Sequence, residues 1–323
     1  MPKVSVIIPV YNVEKYIEKC ARSLFEQTLD DIEYIFVDDC SPDRSVEIVQ
    51  KLLLEYPNRF FQVKILRHQR NMKQHIARQT GIEAATGDYV IHCDPDDTVE
   101  LDMYKKLYGF AVSGDYDYVW CDYNRISDQG KVLCSQKCDI SEKVIFNNLI
   151  VGKIMGSLWN RLVKREIVQE KSIVHPVSPF TEDLVWVIQY TLRSKRMGYL
   201  NESLYNYWVR EDSITNSLEG NHIELILRKL TYASENLCII EQVLRDANYY
   251  NSISDSMVKL KFYYKQMLVS TVVQCHDCEI WKRAFPEVNL KLFFCKQIPF
   301  RSKVQSFLLL CNIYPKVIHY LKS

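Results

Sequence analysis

The segment Tyr89-Val90-Ile91-His92-Cys93-Asp94-Pro95-Asp96-Asp97 passes from an apolar run straight into three carboxylates. A short apolar run bounded by a turn residue reads as a buried strand. Such strands belong to sheets covered by helices on both faces. Carboxylates at the C-terminal end of a strand lie where open α/β sheets bind their ligands. Hard divalent cations take oxygen ligands, so the cluster suits a metal beside a diphosphate. A second acidic pair, Asp38-Asp39, ends the apolar run Tyr34-Ile35-Phe36-Val37.

The N-terminal half repeats the pattern. Val4 to Val10 reads as a strand. Ile17, Cys20, Ala21, Leu24 and Phe25 recur on one face, which predicts a helix over 13–27. Ser41-Pro42-Asp43 predicts a helix start with a capping hydroxyl, running to about Tyr56. Strands are predicted at 63–66, 89–93 and 116–122, and helices at 74–85 and 99–112. The alternation predicts an α/β fold: a mostly parallel, Rossmann-like sheet with helices on both faces. From about Asn221 the strand signal fades and amphipathic helical spacing takes over. The expected division is 1–220 for the α/β domain and 221–323 for a helical C-terminal region.

A chain of 323 residues, 47% hydrophobic and 25% charged, can bury a substantial core. The net charge of +1 argues against wholesale nucleic-acid binding. Met1-Pro2-Lys3 leads into a strand with no signal-peptide pattern, and the apolar run near Phe307 to Leu310 is too short to span a bilayer. A cytoplasmic location is expected. Eleven cysteines without framework spacing fit free thiols in a reducing compartment. Cys275-His276-Asp277-Cys278 lacks a second pair and is expected to be structural. Beyond Trp281, Lys282, Arg283, Lys291, Lys296, Arg301, Lys303, Lys316 and Lys322 face only Glu287, with aromatics interleaved. Two readings stand: peripheral contact with the inner face of the membrane, or a closing helix with solvated cations.

Several segments then share one order. They are Val6-Ile7-Ile8-Pro9-Val10-Tyr11-Asn12, Val37-Asp38-Asp39-Cys40-Ser41-Pro42-Asp43, Asn71, Ala77-Arg78-Gln79-Thr80-Gly81 and Gly87-Asp88-Tyr89. Asp94-Pro95-Asp96-Asp97, Trp159-Asn160-Arg161-Leu162, Thr181-Glu182-Asp183 and Tyr207-Trp208-Val209-Arg210 with Ser213 complete the series. In these the chain resembles the family 2 glycosyltransferases, which have the GT-A fold, over about residues 3–215.

The resemblance implies an inverting, metal-dependent enzyme. It would move one sugar from a nucleotide-sugar donor, UDP-linked, to a glycan or lipid-linked saccharide in surface polysaccharide synthesis. Asp96 would ligate the divalent metal, Mn2+ or Mg2+. Asp94 would lie near the ribose and the metal's waters, and Asp97 would orient the motif. Pro9, Val10, Tyr11 and Asn12 would line the nucleoside pocket, with Asp38 or Asp39 accepting from the uracil or ribose. Arg78 would lie near the diphosphate, and Arg210 either there or at a surface cap. Asp183 would be the general base, with Glu182 its competitor; a helix N-terminus favours an ionised carboxylate. The chain departs from the family's pattern at Lys73 and Cys40, where glycine is common, and at Gln79. The oligomeric state is not legible. Rival readings are a phosphotransferase of the haloacid-dehalogenase type and a non-catalytic nucleotide-binding protein.

Overall fold

The strand β1 (Val4–Val10) is buried along its whole length, because helices cover the sheet from both sides. A computed structural model describes residues 1–209 and 222–322. The chain divides into two compact units: Met1–Ile140 with Ile154–Ser217, and Ser141–Lys153 with Leu218–Ser323.

In the first unit, β1 lies between β2 (Ile32–Asp38) and β4 (Tyr89–His92), with β3 (Val63–Arg67) beyond β2, all parallel. Four helices alternate with the early strands: α1 (Ile17–Phe25), α2 (Ser45–Leu53), α3 (Gln74–Ala84) and α4 (Met103–Ser113). The remaining strands are β5 (Thr98–Val99), β6 (Tyr118–Ser127), β7 (Gly130–Cys134), β8 (Arg161–Lys164) and β9 (Met197–Trp208). The sheet order is β3-β2-β1-β4-β8-β6-β9-β5, with β7 paired to β6. From β4 onward only β6 and β9 pair in parallel; β4–β8, β6–β8, β6–β7 and β5–β9 are antiparallel. The expectation of a mostly parallel sheet therefore holds for its first half only, and the sheet as a whole is mixed. β5 follows β4 and β7 follows β6 after short turns, and antiparallel pairing needs no crossover helix.

Two local readings change. Helix α2 begins at Ser45, after Arg44 rather than at Ser41, and the Asp43 carboxylate accepts the Ser45 N–H at 3.1 Å. Thr98 and Val99 pair with Asn206 and Tyr205 instead of opening α4. Strand β7 is joined to β6 by a two-residue turn with Ser127 opposite Gly130.

Gly81 sets the approach of α3 to β1. A Cβ there would stand 2.3 Å from Ile7 Cγ2. Arg78, one turn earlier, shares that face and is carried against the sheet.

The second unit is helical. It consists of α5 (Glu142–Ile150), α8 (His222–Asp246), α9 (Tyr250–Gln266), α10 (Val269–Cys275), α11 (Glu279–Arg283), α12 (Val288–Phe294), α13 (Phe300–Leu310) and α14 (Tyr314–Lys322). The first unit keeps α6 (Arg165–Val168) and α7 (Glu182–Arg193). The expected boundary at Gly220 lies outside the described residues. The helical unit also takes Ser141–Lys153 from inside the expected first domain, where Phe146 packs on Tyr249 with ring centroids 5.0 Å apart. All eleven cysteines are free. No helix among the described residues is long and apolar enough to cross a membrane.

Candidate active site

One strand end and one helix start meet at Arg78. Its side chain is only 3% exposed, and its Nη2 donates to Asp94 Oδ1 at 2.7 Å. Its Nη1 donates to Glu182 Oε1 at 2.9 Å and also to Asp183 Oδ1. One guanidinium thus joins the acidic end of β4 to the first turn of α7. Burial works against the Arg78 charge, but Asp183, Asp94 and Glu182 outweigh it and hold the group charged.

The two candidate bases differ in access. The Asp183 side chain is 24% exposed and that of Glu182 6%. Burial pushes Glu182 up to about 8, despite Arg78. Burial also raises Asp183, against the pull of Arg78, the Leu158 N–H and Arg161. The helix-terminus argument predicted an easily ionised Asp183. Loss of water from the carboxylate reverses that direction.

The three carboxylates after β4 remain together. Ligand oxygens of Asp94, Asp96 and Asp97 lie within 4.8 Å of one another. Asp97 is 1% exposed. It accepts the Tyr205 hydroxyl at 2.8 Å and the Trp208 N–H at 2.8 Å. The same Tyr205 oxygen accepts the Asp94 N–H at 3.1 Å, so one phenol ties both ends of the motif. Trp159 stacks on Tyr205 at 4.2 Å between centroids and belongs to the core. Tyr205 was not singled out from the sequence. It sits on an alternating strand, and nothing in that pattern marks a hydroxyl that will meet Asp97.

The predicted nucleoside turn is fastened at three points. Asn12 N–H donates to Ser41 Oγ at 2.9 Å, Val13 N–H to Ser45 Oγ at 3.2 Å and Glu14 N–H to Asp43 at 2.8 Å. Pro9 and Val10 are buried at the end of β1, whereas Tyr11 and Asn12 are exposed. Asp38 lies opposite Val10 in the sheet. Its carboxylate accepts the Ser41 N–H at 2.7 Å and faces Arg67 at 3.1 Å. Asp39 accepts the Met72 and Lys73 N–H groups at 2.7 and 2.8 Å, and pairs with His68 at 2.7 Å. It therefore clamps the loop before α3.

That loop adopts the conformation expected of glycine, with Lys73 at φ 78° and ψ 160°. Asn12, Cys40 and Thr181 also have positive φ, at 53°, 58° and 64°. Such strain gathers at sites whose surroundings over-determine the backbone. His92 is buried against Trp186 at 6.5 Å. Neither of its ring nitrogens has a hydrogen-bond partner. Arg210 and Ser213 lie outside the described residues.

The comparisons agree with this geometry. The glycosyl transferase family 2 model matches residues 5–170. An uncharacterized glycosyltransferase, EpsJ of Bacillus subtilis, is 33% identical over 67% of this chain, which spans 63% of EpsJ. A cholesterol galactosyltransferase of Borreliella burgdorferi is 30% identical over 81% of this chain and 74% of its own length. S. aureus TarS, solved with UDP-GlcNAc, superposes with a TM-score of 0.59 at 17% identity over 99% of this chain and 91% of that one. A Pyrobaculum calidifontis mannosyltransferase, solved with GDP-Man and Mn2+, gives a TM-score of 0.57 at 15% identity over 98% and 86%. The family match sets aside the phosphotransferase and non-catalytic readings. With a GT-A sheet whose acidic strand end is bound through Arg78 to an acidic helix start, this chain belongs to glycosyl transferase family 2 and is a glycosyltransferase.

Proposed function

We propose that the enzyme transfers a single sugar, with inversion, from a UDP-linked donor to a hydroxyl of a glycan or lipid-linked saccharide during surface polysaccharide synthesis. The observation that carries the reading is the Arg78 cluster, which holds Asp94 and Asp183 on one cation. Asp94 would help hold the cation that takes up the charge of the leaving diphosphate, while Asp183 would accept the acceptor's proton.

The donor set fits a divalent cation, Mn2+ or Mg2+. It consists of hard carboxylate oxygens within one cation's reach. Asp97 gives both oxygens to Tyr205 and Trp208, so Asp96 and Asp94 are the proposed ligands. When bound, the cation neutralises charge on the diphosphate leaving group.

The chain's own groups do the rest. Asp183 is the more exposed carboxylate and accepts the acceptor's proton. Arg78 orients it. Burial favours the neutral form of Glu182, which limits the negative charge beside Asp183. The fastened turn Pro9-Val10-Tyr11-Asn12, with Asp38 and Asp39 beneath it, lines the nucleoside pocket. Peripheral contact with the inner face of the membrane belongs to the same reading, as does a cytoplasmic location.

The test is donor hydrolysis without acceptor. The enzyme is incubated with UDP- and GDP-sugars and Mn2+ or Mg2+. Slow release of UDP, stopped by chelation, is expected. Failure to release or bind any nucleoside diphosphate would overturn the proposal.

A further inference from the structure

Helix α13 turns an apolar stripe outward. Phe300, Val304 and Phe307 stand at i, i+4 and i+7 and so share one face. They are 80%, 43% and 54% exposed. Ser306 and Leu309 form the buried side. Helix α12 repeats the arrangement. Leu290 and Phe294, four apart, are 71% and 84% exposed, while Val288 and Leu292 are buried. Isolated apolar residues on a surface are ordinary. A stripe in helical register with its aromatics outward marks a surface that meets something.

The charge of this region identifies the partner. From Trp281 onward Glu287 is the one acidic residue against eight lysines and arginines. Glu287 is already held by Lys261 at 2.7 Å. The exposed Lys291, Lys296, Arg301 and Lys316 make no ion pair among the described residues. A second copy of the chain meeting this face across a two-fold axis would bring the same cations against themselves. An anionic surface with an apolar interior satisfies both features. No helix among the described residues can cross a bilayer, so the contact lies in the interface.

We propose that α12 and α13 dock on an anionic lipid bilayer. Leu290, Phe294, Phe300, Val304 and Phe307 enter the boundary between headgroups and acyl chains, and the surrounding cations meet lipid phosphates. This specifies the membrane contact included in the function proposed above. It does not depend on the sugar chemistry.

The full chain is sedimented with vesicles of phosphatidylcholine alone and of phosphatidylcholine with an equal part of phosphatidylglycerol. Binding is expected to the anionic vesicles only and to weaken as salt rises. The double substitution Phe300→Ser/Phe307→Ser should lower the bound fraction roughly tenfold or more. Its thermal melt and its donor hydrolysis in solution should not change. Wild-type protein left in the supernatant, or a variant that binds as the wild type does, would overturn the proposal. A dimer in sedimentation equilibrium that the same substitutions dissolve would assign the face to a second copy instead. Donor hydrolysis is measured without vesicles, so failure of the transferase reading and failure of this one are separable.

Discussion

Arg78 and Asp183 stand 105 positions apart in the chain, yet Nη1 of the first donates a hydrogen bond to the carboxylate of the second. The same guanidinium reaches Asp94 and Glu182, so three acids depend on one cation. Removing one partner of a buried ion pair strands the others. Arg78→Ala is expected to cost about 3 kcal/mol or more in denaturant unfolding. Arg78→Lys keeps the charge but loses the forked geometry, so it should recover part of the stability and little of the turnover. A stable, fully active Arg78→Ala enzyme would sink this account.

Asp183 and Asp96 should separate by kinetics. Asp183→Asn removes the proposed base and is expected to cut turnover by about 10²–10⁴ while donor binding persists. Asp96→Asn should instead abolish metal-dependent donor binding, read by calorimetry with the nucleotide sugar. Burial raises Asp183 above the ordinary aspartate range. The wild-type rate should therefore fall on acidification at a pH above that of a solvated aspartate. Near-wild-type turnover in Asp183→Asn would remove it as the base.

Glu182 makes stability depend on pH in a stated direction. Its carboxyl is raised from 4.5 to about 8 by burial. A raised carboxyl binds its proton more tightly in the folded chain. Its stabilisation is thus complete below pH 4.5 and lost as pH climbs through about 8. Melting temperature should decline across that window, and Glu182→Gln should flatten the decline. The same slope in the variant would contradict the assignment.

Tyr205→Phe deletes the hydroxyl shared by Asp94 and Asp97. Asp97 is left with an unpaired buried oxygen, at an expected cost of about 1–3 kcal/mol. Metal affinity, measured by calorimetry with Mn2+, should weaken as well. Unchanged stability and affinity would show that the phenol carries no load there.

Lys73 occupies a backbone conformation natural to glycine, with φ 78°. Its N–H is fixed by Asp39 at 2.8 Å. Lys73→Gly relieves strain of about 1–3 kcal/mol, offset by the greater freedom of glycine in the unfolded chain. The variant should be more stable, by roughly 1 kcal/mol. Lower stability would mean that the lysine side chain contributes more than its backbone costs.

The strand–helix alternation, the acidic ends of β2 and β4 and the acidic start of α7 were all legible in the amino-acid order. Each rests on residues close together in the chain, where periodicity and charge act directly. Other features had no local signature. The antiparallel half of the sheet depends on which strands become neighbours. Asp39 as a loop clamp joins the end of β2 to a loop more than thirty positions on, Tyr205 reaches the acidic motif from 108 positions away, and the gathering of Asp94 and Asp183 on Arg78 follows the close approach of α3 that Gly81 permits. The helix terminus at Asp183 is visible in the sequence, whereas the burial that raises its carboxyl is not. Local pattern selects elements through side-chain spacing. Pairing, burial and ionisation are properties of the surroundings, and only the packed chain supplies those.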